Sequence, residues 1–99
     1  MSPKRWVFED KAESPAAQAA VLEAVSNQIN GNDPPEARQA FERIRREGYS
    51  VRDAKKLIGA CLSLEIWHTL HPQGGGYDRR RYVTALNGLP AKLPEGLDE

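Results

Sequence analysis

The stretch from Asp33 to Val51 constrains the fold more than any other part of the chain. It holds a helix start, a helix stop and a second helix start in quick succession. Asp33 can accept hydrogen bonds from the orphan N–H groups of a first helical turn. Pro34 sits where a missing N–H costs nothing, and Glu36 stands at the spacing that closes a capping box. Gly48 can take the left-handed conformation that ends a helix. Ser50 can cap the next one, with Asp53 in its first turn at the positive end of the dipole. A chain punctuated in this way is helical, and its neighbouring helices are joined by tight corners.

The remaining pattern extends that reading. Ser14-Pro15 opens a first helix to about Asn30, with Ala17, Val21, Ala24, Val25 and Ile29 at helical spacing, and Asn30-Gly31-Asn32 stops it. A second helix, about Pro34 to Glu47, carries a narrow stripe of Ala37, Ala40, Phe41 and Ile44. Arg38, Glu42 and Arg46 form a solvated outer face at four-residue spacing. The third helix, about Val51 to Leu70, is the longest and most apolar. Pro72 and the Gln73-Gly74-Gly75-Gly76 run then break the chain. Asp78 caps a fourth, shorter helix to about Asn87, with Tyr77 and Tyr82 placed as a hydrophobic staple and Gly88 as its stop. The expectation is an all-α single domain of four helices over residues 14–90, bundle-like or orthogonally packed. An N-terminal arm, residues 1–13, holds Trp6, Val7 and Phe8, and an irregular acidic tail spans residues 91–99.

Composition excludes several classes. The chain is 39% apolar and 28% charged, a globular balance. Its 14 basic and 14 acidic residues cancel, which removes any whole-molecule drive towards nucleic acid or anionic membranes. A single cysteine, Cys61, excludes an intrachain disulfide. The N-terminus lacks the apolar run of a secretory signal, and Leu57 to Leu70 is too short to span a bilayer. A cytoplasmic location with no membrane contact follows as the expectation. No motif implies a cofactor.

Three features break the helical pattern. At about 100° per residue, Ala54, Leu57, Ile58, Cys61 and Leu64 share a face with Glu65 and His68, while Arg52, Lys55, Lys56, Gly59 and Ser63 lie opposite. A carboxylate on an apolar stripe must be paired, and His68 is in reach three residues on. Glu-x-x-His is also a spacing used in carboxylate metal sites, with His71 as a third ligand type. Such sites need a second motif that this chain lacks. Glu65, His68 and His71 are therefore a secondary metal or small-molecule candidate beside a structural pairing.

Secondly, Ile66, Trp67 and Leu70 point away from the main stripe, so the C-terminal half of this helix is apolar nearly all round. A second cover is required. Trp6 and Phe8, the leucines Leu89, Leu93 and Leu97, or another protein chain could supply it. Thirdly, Arg79-Arg80-Arg81 lies in the first turn of the last helix, where basic residues oppose the dipole. The three guanidiniums are a candidate phosphate or nucleic-acid site, with Arg43, Arg45 and Arg46 as accessories.

A helix–turn–helix reading of Glu47 to Ser50 has some support in the seven basic and three acidic residues between Arg38 and Lys56. The long apolar third helix is poorly suited to lie in a DNA groove, which disfavours nucleic acid as a partner. No nucleophile stands out. Cys61 falls on the apolar stripe as a small buried hydrophobe, and no serine has histidine–acid company.

The residues Asn32-Asp33-Pro34-Pro35-Glu36, Gly48-Tyr49-Ser50, Ala54, Ile58, Glu65-Ile66-Trp67 and Arg81-Tyr82-Val83-Ala85-Leu86-Leu89-Pro90 form a spaced pattern. It resembles a family of short bacterial all-helical proteins of unknown function, over about Asn30 to Pro90. The resemblance implies a bacterial, cytoplasmic, all-helical protein and carries no catalytic role. The two-sided apolar character of the third helix points to a non-enzymatic interaction module, self-associating as a homodimer or docking on a protein partner through Ile66, Trp67 and Leu70.

Overall fold

The structure, a computed structural model, describes residues 15–71, 73 and 75–91. Among them are four helices and no strand: α1 (Pro15–Gly31), α2 (Pro35–Arg46), α3 (Val51–Leu70) and α4 (Arg79–Asn87). The all-α reading therefore holds. The N-terminal arm with Trp6, Val7 and Phe8, the helix start at Ser14, and the tail from Lys92 with Leu93 and Leu97 lie outside the described residues.

Central to the fold is α3, which packs against all three other helices, while α2 also touches α1 and α4. Its sequence explains that position. Leu57, Ile58, Gly59, Ala60 and Cys61 are consecutive and all buried, so one turn and more is enclosed on every side. This corrects the expectation that Gly59 lies on an outer face. Small residues at 59 and 60 let neighbouring helices come close, which brings cover to the side that periodicity assigns to solvent. The other helices each offer a narrower stripe. Val21, Val25 and Ile29 repeat every four residues along α1, and Ala37, Ala40 and Ile44 line α2. From the end of the chain, Tyr82, Leu86 and Leu89 complete the core. On the outer face of α2, Arg38 and Glu42 meet at 3.3 Å, the expected four-residue pair.

The corners are formed largely as the sequence predicts. Ser50 Oγ accepts a hydrogen bond from the Asp53 N–H at 3.0 Å, and Gly48 has φ +99°. Asp78 Oδ1 accepts from the N–H groups of Arg80 and Arg81 at 3.0 and 3.3 Å. The rings of Tyr77 and Tyr82 meet at 6.4 Å across the start of α4, as a staple requires.

The start of α2 differs. Pro34, not Asp33, is the N-cap residue, and no side chain caps the helix. Pro34 is buried, and the Asp33 N–H donates to Gln28 O at 3.0 Å, which holds Asp33 to the end of α1. The capping box is thus not formed. Glu36 instead faces Arg79 across α2 and α4, at 3.9 Å.

A hydrogen bond also ties α4 to α1. The Tyr82 hydroxyl donates to Gln28 Oε1 at 2.6 Å, in a place where burial pushes that hydroxyl above the usual phenol range. Removing one partner leaves the other without a bond. Tyr82→Phe is expected to lower unfolding free energy by about 1–2 kcal/mol in urea titrations. A variant as stable as the wild type would show that the bond contributes nothing net.

Candidate functional site

The C-terminal half of α3 divides into an inward side and an outward side. On the inward side lies Glu65, 2% exposed and the one charged residue in the core of the described chain. Its partner is Arg81 rather than His68. The Arg81 Nε donates to Glu65 Oε2 at 2.6 Å and Nη2 donates to Oε1 at 2.8 Å, a two-pronged contact. Glu65 Oε1 also accepts the Asp78 N–H at 3.0 Å. Arg81 Nη2 further donates to Gly76 O at 3.0 Å. The hydrogen bonds to Glu65 raise the Arg81 guanidinium further above its already high range.

This clasp accounts for two sequence oddities at once. A carboxylate on an apolar stripe needs a cation, and an arginine in the first turn of a helix needs an anion. Asp78 is the cap of α4, so Arg81 stands three residues into the helix and its side chain can reach back to α3. The Glu65 and Asp78 carboxylates together place negative charge at the positive end of the α4 dipole. Of the three arginines predicted as an anion site, Arg81 is engaged by Glu65, Arg79 faces Glu36, and Arg80 is exposed.

The accessory arginines are partly committed as well. Arg43 reaches from α2 to the far end of α4, where Nη2 donates to Leu86 O and Nε to Leu89 O, both at 2.8 Å. Arg45 Nη1 donates to Tyr49 O at 2.7 Å across the α2–α3 corner. Arg46 is exposed. The sequence offers Arg43 only as an accessory of an anion site, and its role as a C-terminal clamp is not read from it. The readable signal was weak: a short helix followed by Gly88 leaves carbonyls that a distant cation can satisfy.

On the outward side, Ile66, Trp67 and Leu70 are all exposed, Trp67 at 43% and Leu70 at 72%. Both histidines border the indole. His71 stacks on Trp67 with ring centroids 4.2 Å apart, and His68 meets it edge-on at 5.1 Å. The His71 N–H and its ring Nδ1 both lie close to Trp67 O, at 3.1 and 2.9 Å. A carbonyl can only accept, so Nδ1 carries the proton of that contact. The Gly76 N–H covers the neighbouring carbonyl of His68 at 3.1 Å. The last turn of α3 is thus fixed by hydrogen bonds while its apolar face is open to water.

Glu65, His68 and His71 do not converge as a ligand set. Among the described residues no three His, Cys, Asp or Glu side chains lie together to hold an ion. Both Glu65 oxygens already accept hydrogen bonds.

Cys61 sits in the core, one turn before Glu65. Burial pushes its thiol up to about 12, a backbone hydrogen bond opposes this, and the nearby Glu65 charge adds to it. The thiolate is the reactive form, so native protein at pH 8 is expected to react with iodoacetamide more than about 100-fold slower than urea-unfolded protein. Equal rates in the two states would contradict the buried placement.

The fold and site thus define a small all-α domain with a buried ion-pair clasp and an apolar end on its central helix. No helix among the described residues is long and apolar enough to cross a membrane. No protein-family model matches this chain, and neither the curated proteins nor the solved structures give a significant match.

Proposed function

We propose that this chain is a non-enzymatic interaction module that docks protein through Ile66, Trp67 and Leu70, a second copy of the chain being the simplest occupant. One observation carries the reading: Trp67 and Leu70 are exposed at 43% and 72% on a helix whose central turns are wholly buried. Large apolar side chains grouped on one helical face mark interaction sites when they lie open to water. Apolar side chains spaced along one helix face in this way are a common anchor for a second apolar helix. The rigid end of α3 adds to the fit, because a preorganised face loses little freedom on binding. The non-enzymatic part of the reading is supported by Cys61, whose burial and raised thiol make it a poor nucleophile. The cytoplasm is the compartment we propose for it.

Light scattering on a size-exclusion column, run over a concentration series, tests this. The wild type is expected to shift from monomer towards dimer as concentration rises. Trp67→Ala is expected to raise the dissociation constant about 30-fold, the effect of losing about 2 kcal/mol at a central aromatic anchor. Leu70→Ser acts in the same direction. Circular dichroism should show both variants folded, because neither side chain belongs to the core. A wild type that stays monomeric throughout, or a Trp67→Ala variant that assembles as the wild type does, rejects self-association through this face.

A further inference from the structure

We draw no further inference here: the strongest candidate, the exposed arginine patch of Arg79 and Arg80 at the start of α4, rests on a helix N-terminus whose neighbouring buried oxygen without a hydrogen bond, Glu36 Oε1, belongs to a carboxylate already facing Arg79, and the apolar end of α3 belongs to the site already described, with nothing in the structure to show what covers it.

Discussion

Replacing Glu65 with alanine is expected to cost about 3–5 kcal/mol of unfolding free energy, the range for breaking a buried ion pair from one side. The carboxylate is 2% exposed and accepts three hydrogen bonds, so its loss removes the anchor of the Asp78 N–H and of the Arg81 guanidinium together. Against a typical total of about 5–15 kcal/mol, that is a large share. For a domain of this size the melting temperature should fall by at least about 12 °C.

The reciprocal change, Arg81→Met, should be worse. It leaves a carboxylate in the core, whereas a lone Arg81, with 36% of its side chain exposed, can turn to water. Replacing both residues with leucine should recover much of the loss, because no orphan charge then stays behind. The check is a double-mutant cycle in urea built from Glu65→Leu, Arg81→Leu and the two combined. A Glu65→Ala loss below about 1 kcal/mol, or strictly additive single changes, would show that the clasp carries no coupling energy.

Arg43→Met is the second large effect, expected at about 1.5–3 kcal/mol, the range for hydrogen bonds made by charged groups. In this variant Leu89 O loses its guanidinium donor, and Leu86 O keeps only backbone N–H donors, that of Leu89 at 3.2 Å among them. Arg43→Lys should not restore the wild type, because an ammonium lacks the planar fork that spans both oxygens. Amide exchange should locate the damage in α4, with Arg79 to Asn87 exchanging faster than the centre of α3. If Arg43→Lys matched the wild type in stability and in α4 protection, the two-carbonyl clamp would be wrong.

Much of this architecture is legible in the sequence because local chemistry writes it. Ser50, Gly48, Asp78 and the Tyr77–Tyr82 staple act within a turn of their own position, and the structure forms each as its local sequence predicts. The misreadings share a physical origin. At Asp33 a local capping pattern is present, but packing of Pro34 and a bond to Gln28 outweigh it. At Gly59 periodicity assigns an outer face, but neighbouring helices close over small side chains.

Glu65 was recognised as a charge in need of a partner, and Arg81 as an arginine at the wrong end of a dipole. Each was an anomaly alone, and their pairing became visible only once α4 was laid against α3. His68 was the nearer choice along the helix, while the bidentate geometry that satisfies a buried carboxylate belongs to arginine. The apolar end of α3 was read from the sequence as needing cover. Among the described residues Ile66, Trp67 and Leu70 stand exposed.

The clasp also bears on how the chain is made. Glu65 precedes Arg81 by 16 residues in synthesis, and Arg43 precedes Leu89 by 46. A chain grown as far as Leu70 holds the whole of α1 to α3, yet one of its core positions is a carboxylate without its counter-charge. A centre that closes around Glu65 at that stage would enclose an unpaired ion, so the cost of closing early is highest where the apolar attraction is greatest. The segment from Asp78 to Arg81 therefore completes the charge balance of an interior that α1 to α3 leave with a lone carboxylate.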